Sequence, residues 1–312
     1  MTTTIGVTGA SGFIGSYLIP RLVAQGRRRI VALTRTISPL PHPDDADVEW
    51  QQGDLNSARD CERFVDRVDA IVHLAHTNTP LTSNADIRSD AALNVLPMLS
   101  LIQAIREAAK KVHVVYASSG GAVYGRIAKG SPIPETAPPE PTTSYGVQKL
   151  AGEHYLRLGA EEGWLTANAL RIGNAYGVAL PRERLQGFLG VSVAAHARGD
   201  PIRVFGDPEN VRDYVHLDDI CDAIDLALGR RDGYGVYNIG SGRGASVREL
   251  ISLLEEASGR AANVEVEYIG GAAALTPWVV LDATKAAREL GWKPKVLLDN
   301  GVRRLWEEVT LQ

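Results

Sequence analysis

The sequence predicts an α/β protein in which a doubly wound parallel sheet is followed by a smaller, less regular C-terminal lobe. Short apolar runs alternate with helix-period stretches through the first half, and a glycine-rich turn joins the first run to the first helix. From about residue 173 this alternation dissolves into interleaved glycines, prolines and short apolar pieces. Strand–helix alternation implies parallel pairing, because each strand is reached through a crossover helix.

Ile5–Thr8 reads as the first strand. Gly12–Gln25 reads as the first helix, with Ile14, Leu18, Leu22 and Val23 on one face and Gly26 as the stop. Pro20 should kink that helix or shift its start. Further strands are expected at Ile30–Leu33, Ala70–Leu74, Val112–Ala117 and Leu165–Ile172. Helices are expected between them at Ala58–Arg67, Ala91–Lys110 and Tyr145–Glu162. Prolines 132, 134, 138, 139 and 141 make that segment an extended loop. In the lobe, Ser246–Ser258 and Thr284–Gly291 read as helices, whereas Arg198–Asp207 and Tyr268–Pro277 look irregular.

The chain has 312 residues, 45% of them hydrophobic, ample for a large core. With 33 basic against 37 acidic residues, a net charge of -4 and no basic stripe, nucleic acid is not an expected partner. The two cysteines, Cys61 and Cys221, lie far apart without a histidine cluster, so neither a disulfide framework nor a metal site is expected. No apolar run reaches membrane-spanning length, and Met1-Thr-Thr-Thr leads straight into a strand rather than a signal peptide. A cytoplasmic protein is the expectation.

Gly9-Ala-Ser-Gly12-Phe-Ile-Gly15 lies between the first strand and the first helix. A tight turn there needs positive φ, and a diphosphate must approach amides at a helix N-terminus with no Cβ in the way. Gly9, Ser11, Gly12, Phe13, Ile14 and Gly15 are therefore the candidate cradle of a dinucleotide in a Rossmann-type fold. Residues 1–172 form the expected dinucleotide-binding domain, with part of about 212–240 returning to it, and 173–312 mainly the substrate lobe. The second strand ends Ala32-Leu33-Thr34-Arg35, without the acid that binds an adenosine ribose diol. Thr34 and Arg35 suit a 2′-phosphate, so NADP is favoured over NAD, some NAD sites lacking the acid. Asp54 and Leu55 stand where the adenine amino group could be met.

Tyr145-Gly-Val-Gln-Lys149 puts a phenol and an ammonium on one helix face, behind a Thr142-Thr-Ser cap. A nearby cation lowers a phenol's pKa, so the phenolate can take a hydroxyl proton while carbon loses hydride to a nicotinamide.

Several segments then occur in order: Thr8-Gly-Ala-Ser-Gly-Phe-Ile-Gly15, Val72-His-Leu-Ala75, Ala117-Ser-Ser-Gly-Gly-Ala-Val-Tyr-Gly125 and Ser144-Tyr-Gly-Val-Gln-Lys149. They are followed by Leu170-Arg-Ile-Gly-Asn-Ala-Tyr-Gly177, Arg212-Asp-Tyr-Val-His-Leu-Asp218 and Tyr237-Asn-Ile-Gly-Ser-Gly242. Over essentially its whole length the chain resembles the extended short-chain dehydrogenase/reductases, specifically the nucleotide-sugar epimerase/dehydratase group. The resemblance implies Tyr145 as catalytic base with Lys149 as its partner, and Asn94 as a supporting helix amide. It also implies Leu74, Ala75 and Ala117 at the cofactor, and Ser118, Asn174 and Arg212 at the substrate. His216 and Asp218 are expected to organise their loop, and the helices at Ala91–Lys110 and Tyr145–Glu162 to pair across a homodimer.

Two departures stand out. The family's Ser/Thr four residues before the Tyr of Val-Tyr-Gly is here Gly120, so either a backbone adjustment presents Ser119 instead or the site relies on Tyr145 alone and is slower. An Arg-x-Gly-Asp clamp before Asp282-Ala-Thr-Lys285 is replaced by Gly270-Gly-Ala-Ala-Ala-Leu-Thr-Pro277, leaving Arg203, Arg182 or Arg184 as substitutes, or a substrate that is not a standard nucleotide sugar. The expected activity is NAD(P)-dependent epimerization of a nucleotide sugar, at C4 through a transient 4-keto intermediate. An NADPH-dependent 4-ketoreductase is the alternative, and a non-catalytic dinucleotide sensor the third. Dehydratase chemistry is disfavoured because Gly121 and Ala122 replace its Asp-Glu pair.

Overall fold

The computed structural model describes residues 3–26, 28–36, 47–127, 130–180, 187–267 and 276–311. The first half runs β1 (Thr3–Thr8), α1 (Phe13–Ala24), β2 (Arg28–Thr34), β3 (Val48–Gln52), α2 (Ala58–Val65), β4 (Ala70–His73), α3 (Ile87–Glu107), β5 (Val112–Ser119), α4 (Gly120–Val123), α5 (Ser144–Glu161) and β6 (Leu165–Ile172). The second runs β7 (Asn174–Tyr176), α6 (Phe188–Arg198), β8 (Ile202–Phe205), β9 (Val211–His216), α7 (Leu217–Gly229), β10 (Tyr234–Ile239), β11 (Gly244–Ser246), α8 (Val247–Ser258), β12 (Val264–Glu267), α9 (Thr284–Leu290) and α10 (Leu298–Thr310).

The large sheet has the order β10-β6-β5-β4-β1-β2-β3, and every pairing in it is parallel. This is the Rossmann-type doubly wound α/β fold. Its central strands carry near-continuous apolar runs because both faces are covered. One face packs against α1 and α7, with Leu18, Leu22, Ile220 and Ile224 in the core. The other packs against α2, α3 and α5 through Phe64, Leu101, Ile105 and Leu156. Strand order reverses at β1, between β2 and β4, and such a switch point opens a crevice at the strands' C-terminal ends. α1 runs unbroken through Pro20, whose ring lies on the exposed face, so the lost hydrogen bond leaves no buried carbonyl stranded.

The C-terminal part is more regular than expected. β7, β9 and β11 form a three-stranded sheet, and the segment Arg198–Asp207 contains β8, which pairs in parallel with β12. Around them α6, α8 and α10 close a separate core through Leu189, Val193, Leu250, Leu254 and Trp306. β10 adds to the edge of the large sheet beside β6, and α7 lies across that sheet. The proline-rich segment is a loop as expected, but it is not extended throughout: Ile133 bridges Leu281, and a turn closed by the Ala137 amide on the Pro134 carbonyl follows. Asp218 ties the parts together by accepting from Tyr17 Oη at 2.7 Å and Arg21 Nη1 at 2.6 Å, while His216 Nδ1 caps α7 through the Asp218 amide at 3.1 Å. Among the described residues no helix is long and apolar enough to cross a membrane, and no His, Cys, Asp and Glu group could hold a metal.

Candidate active site

The glycine turn closes against the end of β4. Gly9 has φ +68°, and a Cβ there would lie 2.7 Å from the Ala75 nitrogen. A Cβ on Gly15 would lie 2.4 Å from the Gly9 carbonyl oxygen, so α1 can approach β1 only with glycine at that position. Gly12 begins α1 with no side-chain cap, and the first turn holds no acid. The amides of Phe13, Ile14 and Gly15 thus open the helix without intrahelical acceptors, which fits an anionic diphosphate. Ser11 is exposed at the rim, and Phe13 and Ile14 rest partly on the core. The Leu74 and Ala75 amides donate to the Thr8 carbonyl and hydroxyl at 3.2 and 3.4 Å, holding β4's end beside the turn.

At the end of β2, the Thr34 hydroxyl donates to the Thr36 carbonyl at 2.9 Å, and Arg35 is exposed. No hydrogen bond or ion pair engages the Arg35 guanidinium among the described residues. Asp54 is half-buried, with Oδ1 accepting from the Asn56 amide at 2.9 Å, and Leu55 packs against the core.

Across the crevice, side chains rather than carbonyls receive the first amides of α5. Ser144 N donates to Asn84 Oδ1 at 2.7 Å, Tyr145 N to Ser83 Oγ at 3.1 Å, and Gly146 N to the Thr143 cap at 3.2 Å. One turn on, Lys149 is buried, and its Nζ donates to the Ala117 carbonyl at 2.8 Å. That nitrogen lies 5.1 Å from the Tyr116 ring centroid and 5.6 Å from that of Tyr145. Burial pushes the Tyr145 phenol up to about 12, against a lowering hydrogen bond from Ser119. Burial also pulls Lys149 down to about 7, with the Glu153 carboxylate opposing. The ammonium therefore does not by itself acidify the phenol as the sequence pattern implied, because desolvation penalises charge on both groups.

The Ser118–Ser119–Gly120 ambiguity resolves through strand alternation. Ser119 ends β5, and its hydroxyl is close enough to Tyr145 to lower the phenol's pKa. Ser118, expected at the substrate, points the other way: it is buried, and its hydroxyl donates to Glu153 Oε1 at 2.5 Å. A Cβ at Gly120 would sit 2.4 Å from Leu281 Cδ1, so that position faces the core and could not present a hydroxyl. A Cβ at Gly121 would stand 3.5 Å from Asn174 Oδ1 and 3.9 Å from Ser119 Oγ, which places Asn174 near Ser119. Arg212 lies on β9 two residues before Tyr214, the register partner of Asn174. Its Nη1 reaches only the Val211 carbonyl, at 2.8 Å, and burial lowers its pKa. No carboxylate among the described residues is paired with it. Arg203, one proposed clamp, is instead paired with Glu267 at 2.7 Å, while Arg182, Arg184 and residues 270–275 lie outside the described residues.

Sequence reasoning missed Asp90. Its fully buried carboxylate accepts from Asn78 Nδ2 at 2.7 Å and Asn94 Nδ2 at 2.9 Å through Oδ1. Through Oδ2 it accepts from Ser144 Oγ at 2.7 Å and Gln148 Nε2 at 2.5 Å. Asn94 in turn accepts from the Thr77 amide at 2.7 Å. Asn94 thus holds the loop after β4 rather than touching the phenol, and Asp90 locks that loop, α3 and the first turn of α5 into one unit. A lone acid in a helical pattern carries no signal of this, since its partners come from three segments.

Comparison with known proteins agrees with this fold. The UDP-glucose 4-epimerase of Mycolicibacterium smegmatis is 34% identical, covering 96% of each chain. The dTDP-4-dehydro-6-deoxyglucose reductase of Escherichia coli is 30% identical over 97% of this chain and 96% of its own. The crystal structure of Thermus thermophilus UDP-glucose 4-epimerase in complex with NAD superposes with a TM-score of 0.89 at 30% identity, covering 98% of both chains. The sequence profile of the NAD dependent epimerase/dehydratase family matches residues 5–240, and with a glycine cradle facing a Tyr–Lys–Ser cluster across the switch point, the chain belongs to that family.

Proposed function

We propose that the chain is a nucleotide-sugar 4-epimerase acting on a UDP-hexose. The observation that carries this is the Tyr145 phenol, flanked by the Ser119 hydroxyl and the buried Lys149 ammonium, at the sheet edge that also holds the glycine cradle. Gly9, Gly12, Gly15 and the amides opening α1 would hold the dinucleotide's diphosphate, and Lys149 its nicotinamide ribose. When bound, the nicotinamide accepts hydride from the sugar carbon and returns it.

The protein's own part is proton management. Tyr145 Oη takes the proton of the C4 hydroxyl as that oxygen becomes a carbonyl, and gives it back on reduction. Ser119 Oγ, which acts on the phenol to lower its pKa, would share the same sugar oxygen and fix its place. Neither a lone phenolate nor a lone ammonium is favoured at this depth, but each stabilises the other, so they work as one titrating pair. Asn174 and Arg212 bind the sugar and diphosphate, leaving the 4-keto sugar free to present its other face. The name of the Mycolicibacterium smegmatis relative supports the epimerase reading.

A 4-ketoreductase using the same groups once is the second reading, supported by the name of the Escherichia coli relative and by Thr34-Arg35. The experiment is incubation of purified protein with UDP-galactose and no added cofactor, followed by NMR of the sugar. UDP-glucose should appear at equilibrium. Conversion only of a 4-keto sugar, with added NADPH consumed one for one, would replace epimerization by reduction.

We favour NADP, because the Arg35 guanidinium, exposed and without a partner among the described residues, can pair with a 2′-phosphate; the Thermus thermophilus neighbour carries NAD. Arg35→Ala is then expected to weaken NADP(H) at least tenfold more than NAD(H) in fluorescence titrations, by on the order of one charge-assisted pair. Equal effects on both would make Arg35 a bystander. We also propose a homodimer, through the exposed Ile87, Leu93 and Leu96 on α3 and Val147, Tyr155 and Leu158 on the adjoining α5. This apolar stretch would be poorly hydrated in a monomer.

A further inference from the structure

Among the described residues, His76 is the one histidine with a ring nitrogen both shut from solvent and without a hydrogen-bond partner. It follows Ala75, the residue against which Gly9 closes, so the chain passes from the cofactor cradle to the phenol within one residue. Its ring meets the Tyr145 ring edge-on, with centroids 4.7 Å apart at 84°. Its Nε2 is shut from solvent and has no hydrogen-bond partner among the described residues. Nearby His73, by contrast, has Nδ1 paired with the Thr8 hydroxyl at 2.8 Å and its ring stacked on that of Tyr116.

The backbone that carries this imidazole is held in place. The Thr77 amide is held by Asn94, and the Asn78 side chain by Asp90, so the backbone on its C-terminal side is pinned to α3. Leaving a buried ring nitrogen unpaired is unfavourable, and such an atom in a substrate crevice marks the place of a ligand group. Burial and the Lys149 ammonium both keep the ring neutral. A neutral imidazole beside an ammonium does not attract a cation, and it has no charge with which to hold a phosphate. A hydroxyl matches it in either tautomer, donating to or accepting from Nε2.

We propose that His76 is a specificity-determining residue that hydrogen-bonds, through Nε2, a ring hydroxyl of the substrate's sugar beside the carbon served by Tyr145. This rests on the epimerase reading for the presence of a sugar, and goes beyond it in assigning a sugar contact on the β4 side, opposite Asn174. The nicotinamide end of the dinucleotide is the competing occupant. His76 lies past Ala75 and on the phenol ring, which favours the sugar.

The test compares His76→Phe, which keeps an aromatic edge against Tyr145, with His76→Gln, which restores a polar atom. Affinities for UDP-glucose and for UDP are measured by calorimetry on the cofactor-loaded protein. His76→Phe should weaken UDP-glucose about tenfold while leaving UDP unchanged, and His76→Gln should recover part of the loss. In the wild type, the imidazole ¹⁵N signal missing from His76→Phe should move on adding UDP-glucose but not UDP. This readout does not depend on how the variants fold. A signal that moves with the dinucleotide alone, or UDP and UDP-glucose affinities falling together, overturns the assignment. UDP-hexose turnover with an indifferent His76 sinks only this proposal, whereas a protein that binds UDP but no UDP-hexose sinks the epimerase reading and this one together.

Discussion

Replacing Tyr145 by phenylalanine is expected to lower turnover by about a thousandfold or more, with dinucleotide and UDP affinities within a factor of two of wild type. The ring would still meet His76 edge-on, and the backbone amide would still donate to Ser83. Only the phenol oxygen is lost, and with it the group that exchanges a proton with the sugar hydroxyl. Ser119 cannot replace it, since an aliphatic hydroxyl is far too weak an acid to hold the negative charge. A pH profile adds a second check. Below about 7 the pair carries both protons, as phenol and ammonium, and no base exists. Losing one proton produces the reactive form, in which the remaining proton is shared between Tyr145 and Lys149. Wild-type turnover should therefore rise as pH passes through about 7, and this limb should be absent from whatever activity Tyr145→Phe retains. Retention of a tenth or more of wild-type turnover in that variant would remove the phenol from the mechanism.

Parts of this site could be read from the sequence because their chemistry is local. The Gly9–Gly15 turn needs residues close in the chain, and Tyr145 and Lys149 share a face because a helix turns once in about four residues. Short apolar runs alternating with helix-period stretches likewise declared a parallel, doubly wound sheet, and β6 runs over the expected residues. What could not be read depends on register and on distant partners. Whether Ser118 or Ser119 faces the phenol is decided by strand alternation, and a slip of one residue reverses the answer. Asp90 draws its ligands from Asn78, Asn94, Ser144 and Gln148, which only the packing of α3 on α5 brings together. The lobe looked irregular because its strands are short and paired with remote segments, as β8 is with β12.

The second large effect lies behind the site rather than in it. Arg171→Met should destabilise the fold by about 3–5 kcal/mol, because it strands the Glu153 carboxylate in the interior. Both side chains are nearly inaccessible, at 6% and 3%, and the guanidinium grips the carboxylate at 3.0 Å through Nε and 2.7 Å through Nη2. A fall in melting temperature on the order of 10 °C is expected. The double variant Arg171→Met/Glu153→Leu should recover most of it, since two charges have been taken from water and one nitrogen, Arg171 Nη1, has no partner among the described residues. Equal melting of the single and double variants would show that the carboxylate finds another partner. The pair also reaches the chemistry, for Glu153 lies one turn beyond Lys149 and favours its charged form. Removing that negative charge lowers the Lys149 pKa further below its ordinary value. In the double variant the acid limb of the turnover profile should therefore move to lower pH. A limb that stays in place would confine Glu153 to holding Arg171 and Ser118.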